Sequence, residues 1–304
     1  MTQLVLAVPV LNAERFLAHT LQSLNAEGDS VRWWLQDGGS TDGTLDIARQ
    51  AARTGDVIDS AEDRGQADAI NKAFHAMGGD IIGFINGDDR LCPGTALRVL
   101  DFFASHPEID LIYGKVKWIN EAGDITGQHA GSIRNLAEVL DVYRVWWGGR
   151  QWVQPEVFFR RSLFEKVGDF DIGYHLAFDF DFWVRCFIKR ARIAHIPEFF
   201  AEFRLHPRQK SAQSKLAARE IRSIVTRYLD AGAPVPPWVR WSLRAQIAYD
   251  RYQLGETADA HGNRPSFLKG LLRNPAWLLS PAARSRTQSG LAKVMGIKRF
   301  TSHR

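Results

Sequence analysis

Short apolar runs alternate with helical patterns through the first third of the chain. The opening run "LVLAVPVL" is continuous and β-branched, as a strand buried on both faces requires. Pro9 has no N–H to give to a ladder, so it is expected near the end of that strand. "AERFLAHTLQSL" then sets Leu17, Leu21 and Leu24 on one helical face, with Asn12 expected as the N-cap and Glu14 in the first turn. The alternation continues with strand "VRWWLQ", turn-rich "DGGSTDG", helix "TLDIARQAA", strand "DVIDSAE", helix "GQADAINKAFHAM" and strand "DIIGFING". Strands and helices in this rhythm predict an α/β fold with a mostly parallel central sheet flanked by helices. In such sheets ligands bind beyond the carboxyl ends of the strands. Asp37, Asp63 and the pair Asp88–Asp89 all follow strands of this series, so the pattern aims several carboxylates at one sheet edge.

The middle of the chain is less regular. "ALRVLDFFASHP" reads as a helix, "DLIYGKVKWIN" as a strand and "RNLAEVLDVYR" as a helix. An aromatic, glycine-bearing segment with Trp146, Trp147 and Trp152 leads to a strand expected at Glu156–Arg160. "LAFDFDFWVRCFIKRA" reads as a helix and "RIAHIPEFFAEFRLH" as a strand pair. From about Ser211 the pattern turns helical, with two long amphipathic stretches separated by "PVPP".

Composition changes this picture little. The chain has 304 residues, 45% hydrophobic and 24% charged, which fits an ordinary soluble globular protein. No run approaches the roughly 18–20 apolar residues of a membrane span. The apolar start reads as a buried strand rather than a signal peptide. Cys92 and Cys186 are too few and too far apart for a disulfide framework, which fits a reducing compartment. The net charge of +5 is uneven: residues 260–304 hold nine Lys/Arg and no acid, leaving residues 1–259 with 30 basic against 34 acidic side chains. The excess positive charge therefore sits on one appendage. That segment, from Pro265 to Arg304, suits either a solvated helical face or an anionic membrane surface. No nucleic-acid motif accompanies it.

Adjacent carboxylates in "FINGDD" repel each other and resist burial. They read as helix-capping turn residues or as ligands of a divalent cation. An acid/base pair for hydrolysis needs carboxylates about 5–10 Å apart across a sugar, which neighbours on one loop do not supply. Hard cations take one or two carboxylates plus substrate phosphates.

The ordered pieces "VPVLNAERFLAHTLQSL", "QDGGSTDGT", "EDRGQADAINKAF", "FINGDD", "QPEVFFRRSLFEKVGDFD", "FDFDFWVRC" and "FRLHPRQKS" resemble the family 2 glycosyltransferases of GT-A fold over roughly residues 3–213. The resemblance implies an inverting, metal-dependent transferase using a nucleotide-diphosphate sugar, with Mg²⁺ or Mn²⁺ as cofactor. It implies that Pro9, Val10 and Asp37 hold the base and ribose, and that Asp63 completes the base pocket with Asp68 and Asn71 nearby. The family's Asp-x-Asp falls on Asn86-Gly87-Asp88, so Asn86 stands for its first acid and Asp88 becomes the main metal and diphosphate contact. Asp89 is then a second metal acid, and His206 a further ligand or a structural histidine. Asp179 matches the catalytic base, with Asp181 as the alternative. Only one of the two can face the site, because residues two apart on a helix point about 200° from each other. Phe178 stands where the family often has an acid. Trp152 and Gln154 would face a saccharide or lipid-linked acceptor, although core packing also accounts for tryptophans in that segment. Arg204 suits a surface ion pair or a diphosphate contact.

These implications set a GT-A domain over 1–210, divided near 115 into nucleotide and acceptor halves, and a helical extension over 211–304 with the basic tail. They also place the chain in the cytoplasm, peripheral to the inner membrane face. A nucleotidyltransferase or a dinucleotide oxidoreductase would carry a glycine-rich loop after the first strand, where this chain reads "VPVLNAERF". A non-catalytic nucleotide-sugar sensor on the same fold is the remaining alternative.

Overall fold

The computed structural model describes residues 3–210, 214–254 and 266–280. The chain divides into two units, Met1–Ile221 and Arg222–Arg304. The division falls inside helix α8 (Ser214–Asp230) rather than ahead of it.

The first unit is built on one sheet. Strand β1 (Leu4–Val10) is buried along its whole length and lies between β2 (Val31–Asp37) and β4 (Ile81–Phe84), parallel to both. Strand β3 (Val57–Ser60) adds in parallel to β2. Pairing with β4 ends at Ala7, so Pro9 lies beyond that ladder, in register with Gln36 of β2 alone. The carboxyl ends of these strands form one edge.

Helix α1 (Leu17–Asn25) packs with Leu17, Leu21 and Leu24 fully buried, as the periodicity predicts. Its start differs from expectation. Asn12 does not cap it, nor does Glu14 lie in its first turn. Asn12 takes a left-handed conformation (φ +51°) and accepts from the Thr41 N–H, while Glu14 accepts from the Gly43 N–H. The loop ahead of α1 is thus tied to the loop ahead of α2 (Thr44–Ala51), and the two side chains serve that junction. Helices α3 (Gln66–Ala76) and α4 (Thr95–Ser105) complete this half.

The second half of the sheet adds a short β5 (Arg90–Leu91), β6 (Leu111–Ile119), β7 (Ile125–Ala130), β8 (Val157–Arg160) and β9 (Ile193–Arg204). The strand order is β3-β2-β1-β4-β8-β6-β9-β5, with β7 on β6. β8 runs antiparallel to both β4 and β6, and β9 runs parallel to β6. The start of β8 and the ends of β6 and β9 therefore share the edge reached by the ends of β1 and β4. Residues 193–204 form one strand rather than the predicted pair. Its register slips between His195 and Phe199, which accommodates Pro197 without a ladder bond.

Helices α5 (Leu136–Leu140), α6 (Arg161–Val167) and α7 (Phe178–Ile188) lie between these strands in sequence. α7 buries Phe178, Phe180, Phe182 and Trp183, and Phe170 packs against Phe178 and Phe182. Cys92 and Cys186 are buried and unbridged.

In the second unit, α9 (Pro237–Gln253), α10 (Phe267–Arg273) and a short 3-10 turn (Pro275–Leu279) pack Tyr249, Tyr252 and Trp277 together. Trp241 is 62% exposed. Pro265 and residues 281–304 of the predicted basic tail lie outside the described residues. Among the described residues, no helix is long and apolar enough to cross a membrane.

Candidate active site

The loop after β4 separates its two acids. Asp88 faces a cavity of about 830 Å³ at the shared sheet edge, whereas Asp89 is only 1% exposed and lies behind the loop. Both Asp89 oxygens are engaged: Oδ1 accepts from the Arg204 N–H at 2.9 Å and Oδ2 from Asn86 Nδ2 at 3.1 Å. Burial, and then the neighbouring Asp88 charge, raise the Asp89 carboxyl well above the carboxylate range. Asp89 therefore acts as a brace for the loop, and its side chain is not among those lining the cavity. Arg204 braces it too. It is buried, against the surface position considered from sequence, and donates to the carbonyls of Asp88, Asn120 and Glu121.

This arrangement accounts for Asn86 in place of an acid. Its amide nitrogen donates to buried Asp89 while its oxygen accepts from Gln66 Nε2 at 2.6 Å. An aspartate there would lose the donor and press a third carboxylate against Asp89. Gly87 keeps the loop close, since a Cβ would come within 2.9 Å of Val10 Cγ1.

Asp88 Oδ2 lies 2.9 Å from His206 Nε2, and both side chains line the cavity. The other ring nitrogen of His206 is buried without a hydrogen-bond partner among the described residues. Of this pair, the Asp88 carboxylate is the ligand type that a hard divalent cation takes, and the His206 imidazole could complete such a site. No group of three or more His, Cys, Asp or Glu able to hold a metal occurs among the described residues.

Of the other nucleotide candidates, Pro9, Val10, Asp63 and Asn86 line the same cavity. Asp63 packs so close to Gly38 that a Cβ there would meet its carboxylate at 2.5 Å. Asp37, Asp68 and Asn71 are placed differently. Asp37 is fully buried and accepts from the N–H groups of Gly39 and Ser40 and from the Ser60 hydroxyl. Burial opposes its ionisation, but these bonds outweigh burial and hold its carboxyl below the usual range. Asp68 pairs with Arg64 and Lys72 at 3.0 and 3.3 Å. Asn71 exchanges two 2.9 Å bonds with the backbone of Phe170. All three are spent on holding elements in place, and none lines the cavity.

On α7 the two acids part as the helix period requires. Asp179 lines the cavity, and Asp181 is fully buried with its carboxylate on Arg185 Nε at 2.8 Å. Burial pushes the Asp179 carboxyl up to about 6, against hydrogen bonds from the backbone N–H groups of Phe180 and Asp179 itself and the charge of Lys210. Lys210 and Gln66 carry no role in the sequence reading, yet both line the cavity. Lys210 Nζ donates to Gln66 Oε1 at 3.2 Å, so a chain of hydrogen bonds runs Lys210–Gln66–Asn86–Asp89. Burial lowers the Lys210 ammonium while Glu220, Asp63 and Asp179 support it. Its presence in "HPRQKS", just past the matched histidine, was the available signal.

Part of the cavity wall is aromatic. Trp118, Trp146, Trp152 and Phe203 contribute to its wall, with Gln151 and Gln154 between them. Trp152 also packs into the core, tilted on Tyr113 and edge-on to Trp183, as the core-packing reading of this tryptophan expects. Gln154 is 7% exposed, and neither its Nε2 nor its Oε1 has a partner among the described residues. Buried amides are normally satisfied, and this one lies on the cavity wall without such a partner.

The chain is similar in sequence and in fold to known glycosyltransferases. The sequence model described as Glycosyl transferase family 2 matches residues 5–172, more than half of the chain. A "PGL/p-HBAD biosynthesis glycosyltransferase" of Mycobacterium bovis is 32% identical over 192 residues, covering 61% of this chain and 70% of that protein. Among solved structures, a mannosyltransferase from Pyrobaculum calidifontis in complex with GDP-Man and Mn²⁺ aligns with TM-score 0.61 at 18% identity, over 96% of this chain and 80% of that one. S. aureus TarS 1–349 in complex with UDP-GlcNAc aligns with TM-score 0.59 at 15% identity, over 84% of this chain and 74% of that one. This chain spans 46% of a longer TarS chain. At such identities the structural likeness speaks for the GT-A fold alone. The chain belongs to glycosyl transferase family 2.

Proposed function

We propose, from that membership, that the protein is an inverting glycosyltransferase moving a sugar from a nucleotide-diphosphate donor to a hydroxyl of a glycan or lipid-linked saccharide. The observation that carries this reading is the convergence of Asp63, Asp88, His206 and Asp179 on one cavity, though they come from four separate parts of the chain. The donor's diphosphate lies against Asp88, with its base toward Asp63 and the end of β1. The bond between the anomeric carbon and the diphosphate oxygen breaks as the acceptor oxygen attacks from the opposite face. The acceptor's proton passes to Asp179, and the nucleoside diphosphate leaves. A base near pKa 6 is ionised at neutral pH and still able to take a proton. A divalent cation held by Asp88 and His206 would offset the charge that builds on the departing diphosphate. The direct test is nucleotide release by the chain across a panel of nucleotide sugars; no release from any donor would remove the reading.

Gln154 offers both a donor and an acceptor, and no charged side chain interrupts the Trp146–Gln154 wall where it faces the cavity. Sugar hydroxyls, which donate and accept, suit that lining, and aromatic faces stack on their rings. The expected result for Gln154→Ala is a loss of about tenfold in acceptor-stimulated nucleotide release, consistent with one or two lost hydrogen bonds. Release to water should stay unchanged. Equal losses in both would assign Gln154 to the fold instead.

The reading also puts the chain in the cytoplasm, docked on an anionic membrane through residues 265–304. Support comes from Leu268 and Leu272 on α10, 64% and 75% exposed beside Lys269 and Arg273. The full chain should float with vesicles of anionic lipid and a chain ending at 264 should not. Equal partitioning of both forms would remove the membrane partner.

A further inference from the structure

The helix that carries Asp179 lacks a cap of its own. Ala177 precedes α7 and offers no side-chain acceptor, and position 178, where the family resemblance places an acid, is a phenylalanine packed near Phe84 and Phe170. The backbone N–H groups leading into α7 are nevertheless satisfied. Those of His175, Leu176 and Ala177 all donate to the carboxylate of Glu220, at 2.8, 2.7 and 2.8 Å. Glu220 lies on α8, in a stretch that reads from sequence as an appendage outside the transferase domain.

Three N–H groups on one carboxylate form a charge-assisted clamp, stronger than neutral bonds of the same number. A negative group at a helix N-terminus also meets the favourable end of its dipole. Asp179 is the second residue of the clamped helix, so the angle at which its carboxylate enters the cavity follows the backbone that Glu220 holds. Ala217 and Ile221, on either side of Glu220 along α8, themselves line the cavity. The start of α8 is thus part of the cavity wall.

We infer that Glu220 is a positioning residue for the base: its carboxylate, delivered from α8, sets the start of α7 so that Asp179 faces the acceptor hydroxyl. This rests on the reading of Asp179 as the base. The clamp stands in for the polar anchor that Phe178 cannot provide. A misplacement of about 1 Å at a catalytic group costs on the order of 10²-fold in rate, so the clamp is worth far more in turnover than its hydrogen bonds alone suggest.

The test is steady-state kinetics of Glu220→Ala and Glu220→Gln with a donor that the parent uses, across pH 5–9, beside amide exchange at residues 175–177. Glu220→Ala is expected to lower kcat by about 10²-fold with donor KM within about twofold of the parent. Glu220→Gln keeps one acceptor oxygen and is expected to lose less, about tenfold. The charged groups that bear on Asp179 are Lys210, which favours its ionised form, and Glu220, which opposes it. Both variants should therefore move the acid limb of the kcat profile to lower pH, and amides 175–177 should exchange faster. Melting curves and nucleoside-diphosphate binding separate this from unfolding. Full kcat in Glu220→Ala, or a loss shared equally by donor KM, overturns the inference while leaving the transferase reading in place. Absence of turnover in the parent overturns that reading, and this inference with it.

Discussion

Asp179→Asn is expected to bind nucleoside diphosphate as the parent does and to lose transfer by about 10²–10⁴-fold, the range that a positioned general base contributes. The substitution keeps the shape and the acceptor oxygen that the Phe180 N–H meets, so the start of α7 should hold. It removes the negative charge and, with it, the ability to take a proton. In the parent, kcat/KM should fall as pH drops through about 6, because the carboxyl that burial has raised then becomes protonated and can no longer act as base. The acid limb should vanish in Asp179→Asn along with the activity. Residual transfer at the parental rate would pass the role of base to another group. Asp181 is a poor substitute, being buried and bound to Arg185.

The second large effect is expected at Asp88. Its carboxylate is the acid of the β4 loop that reaches the cavity, and it meets His206 there. Asp88→Ala should lower turnover by about 10²–10³-fold, the usual loss when one preorganised stabiliser of a leaving group's charge is removed. A second readout does not depend on turnover. In the parent, Mn²⁺ and nucleoside diphosphate together should raise the melting temperature more than either alone, since each ligand that binds only the folded state adds stability. In Asp88→Ala that synergy should disappear. Undiminished synergy would mean that the cation is held elsewhere.

These two residues also show what a sequence can and cannot disclose about such a site. Alternating strands and helices predict the parallel sheet, and with it the edge where the acids gather. They do not say which way each side chain faces at that edge. Asp88 and Asp89 are neighbours and part company, one to the cavity and one into the loop's interior. Asp37 is followed by Gly39 and Ser40, whose N–H groups claim its oxygens. The "DGGS" pattern is that of an aspartate folding back on its own turn, which was a readable warning. Asp68 has Arg64 and Lys72 one helical turn to either side, and that spacing likewise foretells its ion pairs. Asn71 bonds to Phe170, a partner no local pattern reveals. Glu220 was hidden for a different reason: its acceptor role exists only because α8 returns to the start of α7, a long-range contact with no periodic signature.

The central claim is that one cavity at the sheet edge holds the donor's diphosphate against Asp88 and His206 while presenting Asp179 to the acceptor. A crystal structure of the chain with nucleoside diphosphate and Mn²⁺ tests it most directly. The account predicts the base beside Asp63 and the end of β1, the metal on Asp88 and His206, and the diphosphate on the side of the cavity that Asp179 overlooks. A nucleotide bound away from these residues, or a metal held by other ligands, would contradict it.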